Sequence, residues 1–199
     1  MTAQEFSHRA ASSDRLERHL RAASLIASEL APLGLEPIVV GGTAVEFYTR
    51  GTYLTQDLDL VVPGFEQIAR VLERLGFDRL GASFLHKELD LAVHLPPEPL
   101  EGDRKRLESV NVDGRQVSVI GLEDIIADRL RAAAYWKDLS SGEWAAQMMA
   151  AWWSELDWAY LEALPDMGEP AYAAALRMAQ ELAARVVAGT GPAPDGSAK

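Results

Sequence analysis

Cysteine is absent from this 199-residue chain, which excludes a disulfide framework, a thiolate metal site and thiol-based catalysis. Basic residues are in deficit: 19 Lys and Arg face 30 Asp and Glu, for a formal net charge of −11. General nucleic-acid binding relies on many cationic contacts to phosphate and is therefore not expected. Two short clusters, Arg104, Lys105 and Arg106, then Arg129, Arg131 and Lys137, provide at most a local basic lip. Long apolar runs are missing too, and the first residues, MTAQEFSHRAASSD, lack the basic start and apolar centre of a signal peptide. A cytoplasmic protein with no membrane partner is the expectation. No internal repeat is present. Aromatic residues make up only 8% of the chain, yet all five tryptophans fall between Trp136 and Trp158. At helical spacing such residues are more often core than pocket or interface.

Against these absences, residues 38–62, IVVGGTAVEFYTRGTYLTQDLDLVV, concentrate the chemistry. Residues i and i+2 of a strand point the same way, so Asp57 and Asp59 are expected about 6–7 Å apart on one face, with Leu58 and Leu60 on the other. Two like charges so close repel each other, and a cation between them relieves the repulsion. Hard oxygen ligands that leave room for substrate phosphates suit Mg²⁺, or Mn²⁺. Ahead of the aspartates, Gly41 and Gly42 follow a buried strand and open a helix, a place where backbone N–H groups receive phosphate. Taken singly, a glycine pair is an ordinary turn and Asp-x-Asp an ordinary exposed strand face. Their order, each embedded in an apolar run, carries the inference.

This order, a glycine followed by Gly or Ser, a short helix, then Asp-x-Asp on a hydrophobic strand, resembles the nucleotidyltransferase superfamily, the fold of DNA polymerase beta and the aminoglycoside nucleotidyltransferases. The Gly-Gly-Thr-Ala form, with Thr55 two places before the first aspartate, looks most like stand-alone nucleotidyltransferases of AbiEii type and their relatives in toxin–antitoxin systems. The resemblance covers about residues 35–95. It implies that Gly41 and Gly42 form the phosphate turn, that Asp57 and Asp59 ligate Mg²⁺ or Mn²⁺, and that an NTP is the substrate. Thr43 at the helix start, and Arg50, Thr52 and Thr55 in the following loop, are candidates for contact with its phosphates.

Two-metal phosphoryl chemistry usually wants a third carboxylate. In FLHKELDLAVHL, residues 84–95, Leu89, Leu91, Val93 and Leu95 alternate with Asp90, Ala92 and His94, a period of two that reads as one strand. The resemblance implies that Asp90 is the third catalytic carboxylate and metal ligand, with Glu88 as the fallback; a solvated strand face is the plain alternative. His94 reads as a polar neighbour, because Mg²⁺ disfavours imidazole. A weaker echo over residues 117–138 resembles the second half of the same families. It places Arg129 where a nucleotide-contacting lysine is expected, and Lys137 and Asp138 at a basic–Asp pair. Arginine keeps the charge but changes the geometry, and a solvated helix face is an equal alternative for Arg129.

Along the chain, apolar periodicity predicts helices over residues 14–30, 43–49 and 65–75, and Asp113-Gly114 between two short strands predicts a hairpin. From residue 121 the pattern is helical throughout: 122–136, 142–153, 156–164 and 172–188. The expected class is α/β (α+β), a nucleotidyltransferase-fold mixed β-sheet with flanking helices followed by a C-terminal helical region. The expected division is a core at residues 1–120, the helical region at 121–188 and a disordered tail at 189–199. The expected function is metal-dependent transfer of NMP from an NTP to a hydroxyl of RNA such as tRNA, of a protein or of a small molecule, with a cognate toxin or antitoxin as partner. The alternative is a non-catalytic nucleotidyltransferase-fold binding module or antitoxin.

Overall fold

A capping box opens the chain: the Thr2 hydroxyl accepts from the Glu5 amide while Glu5 reaches back to the Thr2 amide, starting α1 (Ala3–Ala10). Asp14 accepts from the Glu17 amide and caps α2 (Arg15–Leu30), which buries His19, Ala22, Ala23, Ile26 and Leu30. The computed structural model describes residues 1–96, 99–164 and 170–189. The tail expected from residue 189 lies, from 190 onward, outside these residues, as do residues 97 and 98 of the proline-bearing loop.

Buried strand β1 (Ile38–Val40) runs without a loop into α3 (Gly41–Tyr48), and β2 (Asp57–Val61) follows after a connecting loop. Helix α4 (Phe65–Arg74) buries Ile68, Ala69, Val71 and Leu72. Gly76, at φ +97, lies just beyond its end. Three short strands come next, β3 (Asp78–Leu80), β4 (Ser83–His86) and β5 (Leu91–His94). The hairpin of β6 (Glu108–Val112) and β7 (Arg115–Val119) turns on Asp113 and Gly114. Both turn residues have positive φ, +50 and +77, the combination a two-residue type I′ turn requires. Four α-helices follow among the described residues: α5 (Leu122–Trp136), α6 (Leu139–Ala151), α7 (Trp158–Ala163) and α8 (Ala171–Val187).

The strands form one mixed sheet in the order β3-β4-β5-β2-β1-β7-β6. Strand β2 is central, antiparallel to β1 and parallel to β5, while β1 is parallel to β7. Helix α6 packs on α5 and α8, and α3 joins the sheet to α5 and α6. That junction is fastened by polar bonds. Trp152 Nε1 donates to the Tyr48 carbonyl at 2.8 Å and the Tyr48 hydroxyl donates to the Ile120 carbonyl at 2.8 Å. Trp144 and Trp152 are half-buried against the core while Met148 and Met149 are fully buried, so these residues pack elements together.

One expected element is corrected. Residues 84–95 are not a single strand but the antiparallel pair β4 and β5, joined by a 3₁₀ turn over Lys87–Leu89 and by Asp90 in the left-handed region, φ 45 and ψ 53. The apolar alternation runs through this turn because Leu89 and Leu91, which flank Asp90, are both buried. Helix α1 and the three-residue strand β3 are additions that the periodicity did not announce.

Candidate active site

The central strand separates its residues by face. Leu58 and Leu60 are fully buried, whereas Asp57 is exposed and the Asp59 side chain is 17% exposed. Pairing brings Val40, the last residue before the glycines, opposite Asp59, so the glycine turn and the aspartates meet at one end of β1 and β2. Gly41 has φ +57, and a Cβ there would lie 2.2 Å from Asp59 Oδ2. Only a residue without a side chain fits both demands. The Gly42 amide donates to the same Asp59 oxygen at 3.1 Å. A Cβ on Gly42 would in turn lie 2.6 Å from the Thr55 hydroxyl oxygen, so Thr55 fills the space beside the second glycine and excludes a side chain there.

Burial raises the Asp59 carboxyl above the ordinary aspartate range; the Gly42 amide and His94 oppose that rise and the Asp57 charge adds to it. Asp57 makes no side-chain hydrogen bond among the described residues. A half-buried carboxylate beside a free one, both hard oxygen donors on one strand face, fits a divalent cation. The fit rests on this pair. Among the described residues no group of three or more His, Cys, Asp or Glu is arranged to hold a metal ion.

The other expected site residues are placed as follows. Asp90 is exposed and precedes the β2–β5 pairing, in which Asp57 faces Ala92 and Asp59 faces His94. Glu88 accepts from the Ser7 hydroxyl of α1 at 2.8 Å, turned toward the N-terminal helix. His94 stands beside the pair instead, its Nδ1 3.3 Å from Asp59 Oδ1. Thr43 is fully buried and its hydroxyl donates to the Asp57 carbonyl at 2.9 Å. Behind it lies His19, also fully buried, which burial and the charges of Arg18 and Arg15 hold down at about 4. Thr43 thus fixes the backbone of the aspartate strand. Arg15 of α2 donates to the Thr55 carbonyl at 3.2 Å.

Arg129 donates to its neighbour Asp128 through Nε at 2.9 Å. Its charge nevertheless reaches the Tyr53 phenol. Burial raises that phenol's pKa, Arg129 opposes the rise, and Asp59, Asp138 and Glu46 add to it. Tyr53 packs edge-on to Trp144 of α6 with centroids 4.9 Å apart. Asp138 caps α6 by accepting from the Ser141 amide, and Lys137 ends α5 in the left-handed region. Arg50 lies over the Trp152 ring at 5.0 Å, and Arg131 over Tyr172 at 5.7 Å. Contiguous sequence was enough to find Asp57, Asp59 and the glycines. His94, Arg15 and Tyr53 come together only through strand pairing and loop packing.

The likeness of this chain to known proteins lies in its fold. No protein-family model matches it, and no curated protein matches its sequence. Solved structures do match. An antigenic nucleotidyltransferase-like protein from Paracoccidioides brasiliensis superposes with a TM-score of 0.59 at 15% identity, covering 89% of this chain and 93% of that one. A crystal structure of ANT(2'')-Ia in complex with adenylyl-2''-tobramycin aligns with a TM-score of 0.49 at 21% identity, over 77% of this chain and 94% of that one. The first of these likenesses establishes a nucleotidyltransferase-like fold: a seven-stranded mixed sheet with flanking helices.

Proposed function

We propose that the protein transfers a nucleoside monophosphate from an NTP to a hydroxyl acceptor. The observation that carries this reading is the joint made by Gly41, Gly42 and Asp59: the second amide of a helix-opening glycine turn donates to the half-buried carboxylate of the central strand, against which the first glycine is packed. Asp57 and Asp59 are the residues that would hold Mg²⁺ or Mn²⁺. When bound, the ion neutralises charge on the phosphoryl oxygens. Gly41 and Gly42 orient the phosphates at the start of α3, the Thr55 hydroxyl, which donates to the Asp57 carbonyl at 3.3 Å, braces the aspartate strand beside them, and Arg129 contributes positive charge from α5.

In the reaction the acceptor oxygen forms a bond to the α-phosphorus, the bond from that phosphorus to the bridging oxygen breaks, and pyrophosphate leaves. The acceptor proton passes to a base. His94, in contact with Asp59, is better placed for that proton than Asp90, which precedes the paired segment. The acceptor is the hydroxyl of an RNA such as tRNA, of a protein, or of a small molecule, and a toxin–antitoxin partnership is the cellular setting we favour. A net charge of −11 means that an RNA acceptor would be held locally, without a broad basic surface.

One observation favours a second reading, a non-catalytic nucleotide-binding module or antitoxin: among the described residues no three His, Cys, Asp or Glu are grouped to hold a metal ion. Incubation with each α-labelled NTP, Mg²⁺ or Mn²⁺, and total tRNA or lysate separates the two. The first reading expects label on one acceptor band, lost in Asp59→Asn. NTP binding without any transfer under these conditions supports the second.

A further inference from the structure

The structure brings to the edge of this site a cation that lies far from the motifs in sequence. Arg15 is the first residue of α2, and its Nη1 donates to the carbonyl oxygen of Thr55. Thr55 is the residue whose hydroxyl fills the space beside Gly42, so the guanidinium sits one residue's breadth from the phosphate turn. It is also close enough to α3 for its charge to act on the buried Glu46 carboxyl. Arg15 as a residue is half-buried, and among the described residues it forms no salt bridge with a carboxylate. One of its five N–H donors is occupied by an uncharged carbonyl.

Two carboxylates, Asp57 and Asp59, lie at the same end of β1 and β2 as the glycine turn and repel an anion there. A bound cation offsets that repulsion only where it sits. Phosphates extending away from the aspartates along the α3 N-terminus need positive charge from elsewhere, and a planar guanidinium with free donors matches phosphate oxygens in a fork that lysine cannot make.

We propose that Arg15 binds the distal phosphates of the NTP and is the residue by which this site prefers a triphosphate over a mononucleotide. The inference rests on the nucleotidyl-transfer reading and names which part of the substrate that reading must hold. It is tested by calorimetric titration of the full-length parent, Arg15→Gln and Arg15→Lys with ATP, inorganic tripolyphosphate and AMP, each with Mg²⁺. Tripolyphosphate carries no base, so the result is independent of which base the site accepts. Glutamine keeps a donor for the Thr55 carbonyl but no charge.

The expected result for Arg15→Gln is a loss of about ten- to hundredfold in affinity for ATP and tripolyphosphate, with AMP binding unchanged. Arg15→Lys should recover part of the loss. Equal weakening toward AMP and ATP would mean that Arg15 only braces the loop, and unchanged tripolyphosphate affinity would equally overturn the proposal. Should Arg15→Gln melt early, Arg15→Lys alone carries the test, with a several-fold loss on tripolyphosphate and none on AMP. A parent protein that binds neither ATP nor tripolyphosphate defeats the nucleotidyl-transfer reading itself, a result distinct from failure of the Arg15 assignment.

Discussion

Gly41 and Asp59 compete for one volume, and that competition is the most exacting feature at the residue scale. A methyl at Gly41 meets a left-handed backbone, which costs an L-residue about 1–2 kcal/mol, and it also meets the Asp59 carboxylate at 2.2 Å. Gly34 is likewise left-handed, at φ +70, but nothing lies within 4 Å of a Cβ there. Gly34→Ala is therefore expected to lower stability by about 1–2 kcal/mol and leave nucleotide binding intact. Gly41→Ala should lower stability further and reduce Mg²⁺-NTP affinity at least about tenfold, because Asp59 must move. Denaturant melts paired with nucleotide titration check both, and equal binding by the two variants would contradict the assigned geometry.

Asp59 also sets a sign. Its folded-state pKa is raised, chiefly by burial. The stability it lends when protonated is therefore present below the unfolded aspartate range and is lost as pH rises through the higher folded value. The Gly42 amide and His94 offset part of the cost of charging Asp59, and a cation beside Asp57 and Asp59 would offset more of it. The residues of this joint were legible in the sequence because a glycine pair and an Asp-x-Asp are local patterns. Arg15 was not, since 40 positions separate it from Thr55, and no spacing rule spans two helices, a strand and a loop.

At the scale of elements, most helices and the Asp113-Gly114 hairpin were legible, for amphipathic periodicity and turn chemistry act within a few residues. The stretch from 84 to 95 was not. Its turn contains neither Gly nor Pro, and Asp90 takes the left-handed conformation, which aspartate adopts more readily than most residues. Alternation of leucines on both sides of the turn imitated one long strand. This matters for mechanism, because pairing sets His94 against Asp59 and leaves Asp90 upstream. His94→Gln is expected to reduce transfer about 10²- to 10⁴-fold, the usual contribution of a positioned acid or base, with NTP binding nearly unchanged. Asp90→Asn is expected to retain transfer within a few-fold. Transfer assays that reverse this order would return the proton to Asp90 and contradict the role given to His94.

At the scale of the whole molecule, the sheet order makes the account coherent. Strand β2 lies in the middle of seven strands, so Leu58 and Leu60 are buried on one face while the opposite face presents the aspartates between β1 and β5. The helical region is fastened to α3 through Trp152 and Tyr48, which stiffens the helix that carries the phosphate turn. Mixed-sheet class was legible from interleaved strands and helices. Strand order was not, because pairing partners are chosen by packing at long sequence separation.

The most direct test of the central claim, that Asp57 and Asp59 with the glycine turn form a metal–nucleotide site, is the melting temperature of parent and Asp59→Asn with and without Mn²⁺ and NTP. At a ligand concentration about a hundred times its dissociation constant, the parent should gain about 2.7 kcal/mol, or about 5–10 °C for a chain of this size. Asp59→Asn should melt no lower than the metal-free parent at neutral pH, since the buried charge is gone, and should show no shift on adding metal and NTP. An equal shift in parent and variant, or none in either, would contradict the account.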